Sequence, residues 1–178
     1  MRYRIRQIFS WLLLLGAILL GVLLGLGILN PPSAAAAIGQ LEEAPGQMVY
    51  QSRQTLKDQH GNTWQAIAFK RIRPDGQTSF ALRLVGFPGF ADIDRAQPLT
   101  LTNSLGKTLT VSDDSDQIFS EVTQPASNVG QYDLQPLLSE LQTEIPLTLT
   151  LPLAGSEHAI LSVSPSLIQE WQTVASHE

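Results

Sequence analysis

The run Arg73-Pro74-Asp75-Gly76-Gln77 is a turn with alternating segments on both sides, and it constrains the local fold more tightly than any other stretch. Proline in second place presets φ at about −65°, and glycine supplies the positive φ of a type I turn closed by a glycine bulge. With Arg73 opposite Gln77, Ala68 falls opposite Leu82, Ala66 opposite Leu84 and Trp64 opposite Gly86. Phe80, Leu82 and Leu84 alternate with Ser79, Ala81 and Arg83, the period of a half-buried strand. Trp64, Ala66, Ala68, Phe80, Leu82 and Leu84 are therefore predicted to share one core face. A slip of one residue would turn all six to water, which specifies the register strongly. The opposite face mixes Ile67, Phe69 and Val85 with Arg71, Arg73 and Arg83 and calls for partial cover. A strand starting at Gln47 precedes this pair, through a turn near His60-Gly61-Asn62 whose register the sequence leaves open.

Further along, residues 98–103 and 107–112 alternate Leu or Val with Thr around Ser104-Leu105-Gly106 and predict a second hairpin. Residues 118–123 are a candidate short strand, and 124–130 read as loop. Asp133 is placed to cap a short helix with Pro136 in its first turn and Leu134, Leu137, Leu138 and Leu141 on one face. Leu147, Leu149, Leu151 and Leu153 form another one-sided strand, with Pro152 marking its end or an edge position. Residues 158–163 follow as a strand. Ser164 then caps a helix with Pro165 at its first position and a stripe of Leu167, Ile168, Trp171, Val174 and Ala175. The face with Ile67, Phe69 and Val85 is the expected seat of that stripe. The predicted class is mainly β, an antiparallel β-sandwich or bent sheet with two short helices. Residues 47–178 make the single domain, and residues 38–46 read as an acidic, turn-rich tether.

Arg2, Arg4 and Arg6 precede an apolar run from Ile8 to Leu29, which Pro31, Pro32 and Ala34 to Ala37 close. A basic start, an apolar middle and a small-residue end form a secretory signal, with cleavage expected after Ala37. The run is also long enough to span a bilayer, which needs roughly 20 apolar residues, so residues 1–37 fit a signal peptide or an uncleaved anchor helix. Either way the basic residues stay on the cytoplasmic side and the body is exported. Removing residues 1–37 takes away three bases and no acid, leaving eight Lys and Arg against sixteen Asp and Glu, a net −8. That balance argues against nucleic-acid binding, which needs clustered bases. With no cysteine, the fold must be held by its core.

The chemistry of the side chains points away from catalysis. His60, His158 and His177 lie in no nucleophile motif, and no zinc pattern is present. Asp113, Asp114 and Asp116 lack the glycine and distal glutamate of a calcium loop and read as a solvated turn. The reading is therefore no enzyme, no cofactor and no metal. Two features fit partner binding. Arg71, Arg73 and Arg83 gather on one hairpin of an acidic protein, with Lys70 pointing to the other side. Phe87 and Phe90 flank Pro88-Gly89 on a break in the sheet pattern.

The run EAPGQMVYQSRQTLKDQHGNTWQAIAFKR, together with LRLVGFPGF and DRAQPLTLT, resembles an uncharacterised family of exported cyanobacterial proteins. The resemblance covers most of the exported chain and implies a thylakoid-lumen or periplasmic setting, with association to photosynthetic membranes. It carries over no activity and no site residue. The function expected is a non-enzymatic accessory module acting on a membrane protein complex or an anionic membrane surface. The alternative is a carrier holding a lipid or other apolar ligand between the sheet and the C-terminal helix.

Overall fold

The structure is a computed structural model and describes residues 38–89, 91–118 and 126–177. The N-terminal segment, Phe90 and the strand expected over 118–123 (Ile118 apart) lie outside the described residues. Strands β1 (Gly39–Ala44), β2 (Gln47–Lys57), β3 (Thr63–Ile72), β4 (Thr78–Gly86) and β7 (Val129–Asp133) form one antiparallel sheet in the order β1-β2-β3-β4-β7. Strands β5 (Leu99–Asn103), β6 (Thr108–Val111), β8 (Leu147–Leu153) and β9 (Glu157–Val163) form a second, in the order β6-β5-β8-β9. Helix α1 (Pro165–Ser176) closes the domain.

The β3–β4 register is the one that the turn predicts, with Trp64 opposite Gly86, Ala66 opposite Leu84 and Ala68 opposite Leu82. Arg73 N–H donates to the Gln77 carbonyl at 2.9 Å, and Gly76 takes φ 81°, a left-handed value that glycine adopts without strain. Gly86 has a different reason: a Cβ there would meet the Trp64 ring at 3.0 Å. All six predicted core residues are fully buried. Leu99, Leu101, Leu149, Leu151 and Leu161 meet them from the second sheet in the same core, while the intervening threonines face outwards. Along one side the sheets are linked by the bridge Asp113–Tyr132 and by Asp114 N–H donating to the Gln131 carbonyl. Along the other, the Gln59 side chain donates to the His158 carbonyl and accepts from the Ile160 N–H, each at 2.7 Å, standing in for a strand at the β9 edge.

The open turn register is settled by Asp58. Its Oδ1 accepts from the His60 and Asn62 backbone N–H groups, each at 2.9 Å, and its Oδ2 accepts from the Trp64 indole at 3.2 Å. Lys57 thereby pairs with Thr63.

Four expectations are corrected. Residues 39–44, read as tether, are the edge strand β1: their pairing partner is the long strand β2, and that exposed, acidic edge carries no alternation that betrays a strand. The segment 129–133 is strand β7, recruited by the free edge of β4. The helix expected after Asp133 is a 3-10 helix, Gln135–Glu140; Asp133 Oδ1 accepts from Gln135 N–H, and the Leu137 and Leu141 N–H groups donate three residues back, to the Leu134 and Leu138 carbonyls. Helix α1 starts as predicted, with Ser164 Oγ accepting from Leu167 N–H, but it packs on the core side of β2 and β3 rather than on the Ile67 face. Small residues on that side, Ser52, Ala66 and Ala68, leave room for the helix to approach these strands with Trp171 in the shared core. Pro152 lies inside β8 where that strand has outrun β5, and its carbonyl accepts from Asp94 N–H.

Tyr132 is fully buried and its hydroxyl has no hydrogen-bond partner among the described residues. Burial first, and then the Asp113 carboxylate, push its ionisation far above the usual tyrosine range, so it stays neutral. A buried hydroxyl without a partner costs free energy, so Tyr132→Phe should raise stability by about 0.5–2 kcal/mol. Thermal unfolding checks this; a lower melting temperature would mean that the hydroxyl is satisfied in solution.

Candidate interaction surface

The outer face of the first sheet carries a second, smaller apolar cluster. Val49, Ile67, Phe69 and Ala81 are buried there with Val85 beside them, and no residue of α1 or of the second sheet belongs to it. Their cover comes from long side chains. The Arg71 guanidinium lies 5.5 Å from the centre of the Phe69 ring and that of Arg83 lies 5.1 Å from it. Both distances are within the range of cation–π attraction, and the aliphatic stems of the arginines shield the apolar cluster from water. Arg53, opposite Ile67, brings a third guanidinium to the face.

Strand pairing determines the partners. Arg71 Nε donates to Glu43 Oε2 at 2.9 Å and its Nη2 to Oε1 at 3.3 Å, so β1 supplies a bidentate carboxylate across β2. Burial nudges the Glu43 carboxyl upward, but the Arg71 hydrogen bond and charge outweigh it and hold it below the usual range. Arg83 has no such partner among the described residues. Its Nε and Nη2 both donate to the neutral amide oxygen of Gln131, at 3.2 and 2.8 Å. Burial lowers the Arg83 pKa from its usual value, and the Arg71 charge lowers it further. The ion pairs among the described residues are Arg71–Glu43 and Lys107–Glu140, neither involving Arg53 or Arg83.

Of the residues expected to bind a partner, Arg71 and Arg83 come together around Phe69. Arg73 lies beyond the end of β3, exposed, with its Nη1 donating to Gln77 Oε1 at 3.2 Å. Phe87 is 72% exposed at the far end of β4, beside Gly61, Asn62 and Thr63 around a depression of about 360 Å³. Phe90 lies outside the described residues. Lys70 points to the core side as expected, and its Nζ donates to the His177 carbonyl at 2.6 Å. Glu43, Arg53 and Gln131 belong to the face but were not singled out by the sequence. Alternation along β2 puts Val49 and Arg53 on one side, which was a usable signal for Arg53. Nothing local marks Glu43 or Gln131, which arrive through pairings of β1 and β7.

Two other polar groupings lie among the described residues. Asp113, Asp114 and Asp133 line a depression of about 380 Å³ with Pro136 and Leu137. Burial raises the Asp114 carboxyl first, and its neighbours Asp133, Asp113 and Asp116 raise it further. Asp113 is committed to the Ser115 N–H and hydroxyl, and no group among the described residues has the make-up of a metal site. The histidines are dispersed: His60 in the first turn, His158 on β9, and His177 stacked on Tyr50 at 4.7 Å.

No curated protein and no solved structure matches the chain. One family model does, over residues 36–174, which takes in all nine strands described above and most of α1, and carries the description protein of unknown function. The chain belongs to that family, DUF3122.

Proposed function

We propose that this domain is a non-enzymatic interaction module, exported by its N-terminal segment and acting as an accessory to a membrane protein complex on the lumenal or periplasmic side. The observation that carries the reading is the outer face of the first sheet. Among the described residues, four apolar side chains there are shielded by arginines rather than by another layer of the fold. Apolar surface under guanidiniums that outnumber the carboxylate bonded to them is the composition of an interface centre, where aromatics and arginine are enriched. The exposed ring of Phe87 adds a second contact point. The carrier alternative draws no support from the contact between α1 and the sheet, where Ile168, Trp171 and Val174 are fully buried in the shared core.

The test is affinity capture with the tagged full chain from detergent-solubilised membranes. The reading expects a defined membrane protein set that elutes as salt rises, because exposed charge contacts are screened over about 8 Å at physiological ionic strength. Capture of lipid alone, or of nothing, contradicts it.

A further inference from the structure

Building on that reading, we infer that the outer face of the first sheet recognises carboxylate side chains of an acidic polypeptide. Arg83 is the seat, and Glu43 is a built-in competitor at Arg71. Among the described residues the face holds three guanidiniums, of Arg53, Arg71 and Arg83, while one carboxylate, that of Glu43, bonds to them. Asp133 faces the same side from β7, where its Oδ1 accepts from Gln135 N–H. Arg71 and Glu43 show the geometry in place: a planar fork, Nε and Nη2, on both carboxylate oxygens. Arg83 offers the same two nitrogens, and a neutral amide oxygen holds them. Two guanidiniums share one phenyl ring and repel each other across it. An incoming carboxylate relieves that repulsion and replaces a neutral acceptor with a charged one, which turns two ion–dipole bonds into a bidentate ion pair.

The chemistry favours a polypeptide over a lipid surface. Arg71 and Arg83 are half-buried arginines suited to bidentate carboxylates, not protruding lysines. A body of net −8 is also repelled by an anionic bilayer. Leu41, 56% exposed on β1 beside Val49, extends the apolar floor and suits an acidic segment with interspersed apolar residues.

The experiment uses the full chain in phosphatidylcholine nanodiscs and a labelled peptide of alternating Glu and Ala, with a Gln-Ala peptide as control. Fluorescence anisotropy should show binding of the first and not of the second. Arg83→Gln should weaken binding about tenfold or more, and Arg83→Lys should weaken it too, because the fork is lost. Glu43→Gln should strengthen binding several-fold by freeing Arg71, an outcome that a merely structural Glu43 would not produce. Unchanged or weaker binding by Glu43→Gln, indifference to both Arg83 variants, or binding to phosphatidylglycerol vesicles in place of the peptide would overturn the inference. Capture of a membrane complex without peptide discrimination would remove this inference and leave the accessory reading. Peptide discrimination without a captured complex would do the reverse.

Discussion

Replacing Trp171 with alanine should lower the stability of the domain by about 3–5 kcal/mol, the usual cost of truncating a buried tryptophan. In a domain of this size that is a fall in melting temperature on the order of 10 °C. Trp171 is fully buried and lies on the same stripe as Leu167, Ile168 and Val174, through which α1 reaches the core. Ser52, Ala66 and Ala68 are too small to close over the space the indole leaves, so the site cannot collapse cheaply. The indole N–H has no partner among the described residues. Trp171→Phe, which deletes that donor while keeping most of the packing, should therefore cost clearly less than Trp171→Ala. Calorimetry on the three proteins decides the matter. An unchanged melting temperature for Trp171→Ala would mean that the helix is not part of the folded core.

Asp58 should be the most acid-sensitive position in the fold. It is buried, and it accepts from two backbone N–H groups, the Asn62 amide and the Trp64 indole. Burial pushes its carboxyl up, but the hydrogen bonds from Asn62, Trp64 and His60 outweigh this and hold the folded pKa below the ordinary value. A folded pKa below the unfolded one means that the stabilisation is complete above the unfolded pKa, about 3.9, and fades as pH falls through the folded value. Asp58→Ala leaves several donors unmet in a buried turn and should cost about 2–4 kcal/mol at neutral pH. The gap between variant and wild type should narrow once the pH drops below about 4. Urea unfolding at a series of pH values measures it. A gap that stays constant through the acid range would show that the charge on Asp58 is not what holds the turn.

What could be read from the chain followed locality. The β3–β4 register was legible because five consecutive residues specify the turn, and every pair then follows by counting. The start of α1 was legible because Ser164 and Pro165 are both local signals. Its resting place was not, since that depends on which sheet face has depth, and depth comes from the small residues of β2 and β3 together. The candidate site was half legible for the same reason. Arg71, Arg83 and Phe69 share a face by alternation alone. Their engagement depends on Glu43 and Gln131, which reach them only after β1 has folded back on β2 and β7 has paired with β4, a strand distant in sequence. Arg73 was grouped with the others by extending the alternation one step beyond the strand, where the turn already redirects the chain.

The claim that the arginine face of the first sheet is the working surface is tested most directly by retention on the membrane complex in detergent extracts across a salt series. Wild type should be compared with Arg71→Glu/Arg83→Glu and with Arg73→Glu, after each is shown to melt like wild type. The double variant should be lost from the complex even at low salt, wild type should be released only as salt rises, and Arg73→Glu should behave nearly as wild type. Equal retention of a folded double variant at low salt would contradict the claim.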